Sequence, residues 1–380
     1  MQYNHVPVCP SKDDKKLHKF INCPVNVTEQ PEGTLPDIQI RQEAIRFLKS
    51  WHKPNVPFFL AVGMHKPHLN LRCPEEYLNI HKIDEMPLPK FPEVPDKMPP
   101  IAFNPYNRMR SREDIRAYNI SKPWGLFPKP LQSKIIQNYY SCITYVDDQI
   151  GQIFETLVQS GLAENTVINF ISDHGMSLGE NGEFLKFGNF DVKTRIPWLI
   201  HDPDSNPSMT TFSYKDPFQS PRASSTPDAH RHEPVEMLDI FPTLVDLLGL
   251  PSIPQCESRR QILCTEGRSR LGSYTDVKNS FAISQYPRPS LYPEQHSDQP
   301  RLDNVRYMGY SIKTNTHRYT EWVGYNTTSF RPYWDQVVAI EMYNHTSDPE
   351  EHFNQADNKK FDATKGLLRD LLRKNLLIED

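Results

Sequence analysis

Ser172-Asp173-His174-Gly175 places a carboxylate and an imidazole side by side, directly after the apolar run Val167-Ile168-Asn169-Phe170-Ile171. A strand ending on such a pair presents it at the C-terminal edge of its sheet, where open α/β folds hold their sites. Asp173 can ligate a hard cation through oxygen. His174 is a poor match for such an ion, and the alternative for its imidazole is a hydrogen bond to a nucleophile or an oxyanion. Lys186 follows Leu178-Gly179-Glu180-Asn181-Gly182-Glu183, whose glycines let the chain turn tightly and bring an ammonium back toward the same anion. A second group, His65-Lys66-Pro67-His68, comes just after Phe58-Phe59-Leu60-Ala61-Val62. There His68 can donate a proton to a departing oxygen, the competing reading being a surface turn fixed by Pro67.

The elements that must carry these groups are legible from spacing. Ile38, Ile40, Ala44, Ile45, Phe47 and Leu48 recur at helical intervals between Asp37 and Trp51, and Pro54 closes the run. Phe58 to Val62 then reads as a buried strand. Residues Met86 to Pro105 hold seven prolines, which forbids regular elements and predicts a long surface loop. Leu131 to Ser160 is the clearest helix, with one apolar stripe from Ile135 to Leu157 and Gly161 as its stop. Val167 to Ile171 and Pro197 to Ile200 read as strands, and Asp202 to Pro227 as a loop. A helix from about Glu233 to Leu248 restarts at Asp239, which tolerates Pro242 in its first turn. Tyr310 to Thr314 and Arg318 to Trp322 form a hairpin of a smaller antiparallel sheet, against which a helix from Lys360 to Leu377 packs.

With 37% hydrophobic and 24% charged residues among 380, the chain has enough apolar content for a large core and a smaller second unit. Its 43 basic and 47 acidic residues are interspersed, giving a formal charge of -4 and no basic stripe for nucleic acid. No apolar run reaches the length of a membrane span. The polar start, Met1-Gln2-Tyr3-Asn4-His5, shows no signal peptide. Yet four sequons, at Asn26, Asn119, Asn326 and Asn344, point to the secretory route. So do the close pairs Cys9/Cys23 and Cys256/Cys264, which suit local disulfide loops, reduced thiols being the alternative. Cys73 and Cys142 are expected to be free.

The Ser-Asp-His-Gly string with its Gly-Glu-x-Gly and Lys186 resembles sulfatases of the alkaline phosphatase superfamily. The resemblance extends over Pro31 to Asp37, Pro57 to Gly63 with His65-Lys66-Pro67-His68, Gln285-Tyr286-Pro287-Arg288-Pro289 and Met308 to Ile312. It implies an α/β fold: a central, mostly parallel sheet flanked by helices in residues 1–275, and a smaller antiparallel sheet plus helix in 280–380. It further implies a sulfuric ester hydrolase that removes the 2-O-sulfate of iduronate in dermatan or heparan sulfate. On that resemblance Asp173 and His174 are the metal-side pair, with Asp173 binding one calcium ion. Lys186 contacts the sulfate, and His68 lies near the scissile oxygen. Arg288 either structures the pocket or contacts the sugar. Met176, Phe184 and Gln299 depart from the pattern of the uronate-specific branch.

Sulfatases of this type use a formylglycine made from the cysteine of Cys-x-Pro-x-Arg, and hold calcium with an early Asp-Asp pair. Cys9-Pro10, Cys23-Pro24 and Cys73-Pro74 all place proline directly after cysteine, so no nucleophile is readable. Asp13-Asp14 follows no apolar strand. Asp147-Asp148 sits on the long helix, where adjacent side chains diverge by about 100°. Lys15-Lys16-Leu17-His18 reads as solvated surface. These features lead to the expectation of an N-terminally incomplete chain, inactive as written, whose full-length form is lysosomal or secreted. The competing readings are a degenerate glycosaminoglycan-binding relative and a metal-dependent phosphodiesterase of the same superfamily.

Overall fold

The computed structural model describes residues 7–11, 13–51, 56–204, 232–257, 261–271 and 280–376. The chain divides into two compact units: residues 1–90, 108–174 and 196–226 in the first, and 91–107, 175–195 and 227–380 in the second. The boundary expected between 275 and 280, and most of the loop expected from Asp202 to Pro227, lie outside the described residues.

In the first unit, helix α1 (Pro36–Ser50) opens with proline in its first turn, where a missing N–H costs nothing. Its Ala44 and Leu48 pack on Ile153 and Leu157 of the long helix α2 (Lys129–Gln159). Gly161, at φ +68°, ends α2 in the left-handed conformation that favours glycine. Strand β1 (Ile168–Ile171) delivers the chain to Asp173 and pairs antiparallel with β2 (Trp198–His201), Ile168 opposite His201 and Ile171 opposite Trp198. No parallel ladder joins named strands among the described residues.

Residues Phe58 to Val62, expected as a buried strand, are extended but make no ladder hydrogen bond. Their alternation explains the conformation: Phe58 and Leu60 pack on the α1–α2 cluster while Phe59 is 88% exposed. One-sided packing extends the backbone without supplying a partner strand.

The second unit holds the short helix α3 (Ile240–Leu247) and a four-stranded antiparallel meander. Its strands are β3 (Phe281–Arg288), β4 (Tyr307–Thr314), β5 (His317–Asn326) and β6 (Arg331–Asn344). One face buries Ile312, Tyr319, Val323 and Met342 against Leu368 and Leu372 of helix α4 (Asp362–Leu376). The other covers Trp322 with Ile101 and Ala102 of the proline-rich segment. Gly309 is required there, because a Cβ would stand 2.7 Å from the Trp322 ring. Within the unit that segment holds short turns, at residues 95–98 and at Pro100–Ala102, and no α-helix or strand, in keeping with its proline content.

Candidate active site

His68 sits on a loop whose backbone is clamped from within the first unit. Asp37, buried in the first turn of α1, accepts hydrogen bonds from the backbone N–H groups of His65 (2.5 Å) and Lys66 (3.4 Å). The Lys66 ammonium is buried and donates to the carbonyls of His68 (2.5 Å) and Asn70 (2.6 Å). Burial lowers the Lys66 pKa. His68 Nδ1 lies 2.7 Å from the Leu69 carbonyl, which can only accept, so in the neutral ring Nδ1 carries the hydrogen and Nε2 the lone pair. The His65 ring lies 5.1 Å from that of His68. It is only partly exposed, and burial of the rest, with the neighbouring Lys66 and His68 charges, lowers its pKa to about 4. Asp37, Lys66 and Asn70 are the residues that spacing alone left without a role. The available signal was an acidic first turn on the helix preceding the His-Lys-Pro-His group.

Asp173 and His174 also belong to the first unit. The Asp173 side chain is 80% exposed, with Oδ2 at 3.4 Å from His174 Nε2. Ser172 Oγ donates to the His174 carbonyl at 3.0 Å, closing the turn after β1. Among the described residues no group of three or more His, Cys, Asp or Glu side chains is arranged to hold a metal ion. One carboxylate and one imidazole fall short of the six to eight oxygens that calcium takes. The described donors therefore do not complete the calcium site that the resemblance implies.

Lys186 belongs to the second unit, half-buried, and leaves a small hairpin in which Ser177 faces Leu185 and Leu178 faces Phe184. The hairpin rests on buried contacts. Glu183 is fully buried, forms an ion pair with Lys193, and accepts from the Asn104 N–H at 2.6 Å. Phe184, one of the departures noted in the sequence, is core: its ring meets Tyr106 edge-on at 5.5 Å.

Arg288 is 1% exposed. Its guanidinium donates to the carbonyls of Ile101, Pro287, Ser297, Ala102 and Phe187 at 3.0–3.2 Å, and lies over the rings of Tyr286 and Trp322. Of its two expected roles, contact with the sugar is not supported, since its donors are spent on backbone oxygens. It fixes the Phe187 carbonyl, next to Lys186, and so positions that lysine's loop.

Cys9–Cys23 and Cys256–Cys264 are disulfide-bonded, and Cys73 and Cys142 are free and buried. Of the four sequons, Asn26 and Asn119 are exposed and Asn326 and Asn344 half-buried. Asp148 is buried and accepts from Tyr77 Oη at 2.6 Å, a framework contact. His18 bonds Asp14 and Glu113 near the surface.

Residues 5–250 match the family model described as Sulfatase. Iduronate 2-sulfatase of Mus musculus is 41% identical over 374 residues, covering 93% of this chain and 67% of that protein. The Homo sapiens enzyme of the same name is 39% identical over 378 residues, covering 94% and 68%. The chain thus spans about two-thirds of the length of these relatives. Among solved structures, the phosphonate monoester hydrolase SpPMH from Silicibacter pomeroyi gives a TM-score of 0.67 at 18% identity, covering 100% of this chain and 66% of that one. A structure in complex with its substrate D-glucosamine-2-N,6-O-disulfate gives 0.56 at 20% identity, covering 89% and 68%. At these identities the likeness shows the fold, the alkaline phosphatase-like α/β architecture with its C-terminal antiparallel sheet. With a family model over most of its length and a relative at 41% identity, the chain belongs to the sulfatase family of sulfuric ester hydrolases.

Proposed function

We propose that the chain's substrate is the 2-O-sulfate ester of iduronate in dermatan or heparan sulfate. The observation that carries this reading is the 41% identity to mouse iduronate 2-sulfatase over 93% of the chain. His68 is assigned to the leaving group. With Nδ1–H held by the Leu69 carbonyl, protonation at Nε2 creates the acid that hands a proton to the departing sugar alkoxide. Lys186 is assigned to the sulfate, where a fixed ammonium offsets charge on the transferring group. Asp173 is this chain's carboxylate for the family's divalent cation, with calcium as the proposed ion and His174 beside it. The described donors do not complete its site. None of the 380 residues lies in a Cys-x-Pro-x-Arg string, so attack on sulfur is assigned to no residue here. Exposed sequons and two disulfides support a lysosomal or secreted location.

The 380-residue polypeptide is therefore expected to bind the ester without turning it over. Calorimetric titration with a 2-O-sulfated iduronate disaccharide and its desulfated counterpart tests this. Lys186→Gln should weaken binding of the sulfated ligand roughly tenfold, the cost of one charge-assisted contact, and leave the desulfated one unchanged. Equal affinity for both disaccharides, or release of sulfate by the 380-residue polypeptide, would sink the assignment.

A further inference from the structure

A cleft of about 500 Å³ opens at the end of the β3–β6 sheet, and none of the residues placed above lines it. Its floor is Gly324, on β5. Tyr307 on β4 stands opposite that glycine on one side, and Tyr333 on β6 on the other. Cross-strand partners point to one face, and two strand spacings separate the tyrosines by about 10 Å, leaving a slot with an aromatic wall on each side.

The slot depends on a bulge. Tyr333 pairs with Gly324 and Val337 with Val323, so Trp334, Asp335 and Gln336 are extra residues on β6. The bulge turns Gln336 back over the floor, where a Cβ on residue 324 would stand 2.7 Å from Gln336 Oε1 and 3.2 Å from Tyr333 Cδ2. Tyr307 is held by packing with Ile101 and Trp322. Tyr325 and Arg306 also line it, in the last row of the sheet, where the Tyr325 N–H bonds the Arg306 carbonyl at 2.9 Å, and Pro289, Ser290 and Leu291 complete the lining. The Arg306 guanidinium is steadied by the Asp303 and Val305 carbonyls at 2.8 and 3.1 Å, and it is the one charged side chain of the lining among the described residues.

Aromatic rings across a slot offer their electron-rich faces to the C–H faces of pyranose rings. A guanidinium fork in a cleft whose described lining holds no acid selects a sulfate or carboxylate. From this juxtaposition we infer that the cleft is a binding site for an anionic oligosaccharide, seating one sugar between Tyr307 and Tyr333 and pairing a sulfate or carboxylate with Arg306. The site needs neither the nucleophile nor the cation of the sulfatase reaction.

The Asn326 side chain donates to Tyr333 Oη at 2.8 Å and begins a sequon, so a glycan on Asn326 is the competing occupant. The test is fluorescence anisotropy of the full chain with a labelled heparin-derived octasaccharide, beside labelled maltooctaose as an uncharged probe. Arg306→Gln should weaken octasaccharide binding roughly tenfold and Tyr333→Ala roughly fivefold, with Arg306→Lys recovering part of the loss and the urea midpoints unchanged. Maltooctaose should bind at least tenfold more weakly than the octasaccharide. Parent-like binding by both Arg306→Gln and Tyr333→Ala overturns the inference, as does equal affinity for maltooctaose. Octasaccharide binding that appears only in Asn326→Gln gives the cleft to the chain's own glycan. A loss confined to Lys186→Gln places the oligosaccharide elsewhere. If instead the disaccharide titration fails while the Arg306→Gln effect stands, the proposed function falls and this site remains.

Discussion

The loop carrying His68 and the loop carrying Lys186 each rest on a buried cation that satisfies backbone carbonyls, but the two cations differ in what they can lose. Lys66 holds the His68 and Asn70 carbonyls with a point charge, and burial lowers its pKa. Arg288 holds five carbonyls in a planar fork, is stacked on Tyr286 and Trp322, and stays protonated at any accessible pH. The Lys186 loop is thus built on a permanent charge and the His68 loop on one that responds to its surroundings. Rigid support suits the role proposed for Lys186, an ammonium held against a sulfate.

The largest break should come from Arg288→Met. It leaves five carbonyls short of a donor, three of them in fully buried bonds, and each buried group left unsatisfied costs about 1–3 kcal/mol, read as a fall in the urea midpoint with unchanged slope. Arg288→Lys should recover only part, because an ammonium cannot span the fork. Lys66→Met should cost less, about 1–3 kcal/mol, since two carbonyls lose a donor while the cost of burying the ammonium disappears. Its specific signature lies at His68: histidine ¹⁵N shifts should show the Nδ1–H tautomer giving way to a mixture. An unchanged tautomer with the same stability loss would reduce Lys66 to a packing role.

How far the sequence reached differs between these two supports. Helices α1 and α2 were readable because apolar spacing and flanking Pro and Gly are local signals, and the C-terminal sheet because β-branched and aromatic runs bounded by turn residues are local too. Asp173, His174, Lys186 and His68 stood out because their strings carry unusual residue types beside glycine or proline. Lys66 carried no assigned role and Arg288 two alternative ones, because only tertiary packing shows that a basic side chain is buried on carbonyls. The strand expected at Phe58–Val62 marks the same boundary. Alternation reveals which side chains are buried, while ladder hydrogen bonds depend on what lies alongside.

Acid should separate the two regions again. Burial and the Lys66 charge depress His65 from 6.5 to about 4, so its neutral form stabilises the folded first unit above pH 6.5. That contribution is lost as pH falls from 6.5 toward 4, where the unfolded chain takes up a proton that the folded one refuses. In the second unit, burial alone would raise the Glu351 pKa, but Arg318 at 2.7 Å and His345 at 2.7 Å override it and hold the carboxyl at about 2. Its contribution is complete above 4.5 and is lost between 4.5 and 2. Hydrogen exchange along a pH series should therefore show amides near residues 65–70 losing protection before those near 345–351. Simultaneous loss would mean that one global transition overrides both local titrations.

The smallest expected effect belongs to an exposed charge in the Cys9–Cys23 loop. Asp14 lies 3.0 Å from His18, and its side chain is 42% exposed. A pair in that setting gains little, because water screens it and two side chains must be held still. His18 has a second carboxylate, Glu113, at 2.7 Å, which ties the Cys9–Cys23 loop to the rest of its unit whether or not Asp14 is charged. Asp14→Asn should leave the thermal midpoint and the exchange pattern of residues 65–70 unchanged. If it lowered the midpoint as far as Lys66→Met, the disulfide loop would have to be a support of the His68 loop in its own right. Asn70 supplies the route for that outcome, since its amide reaches the Phe20 carbonyl and Cys9 Sγ, inside the same disulfide loop.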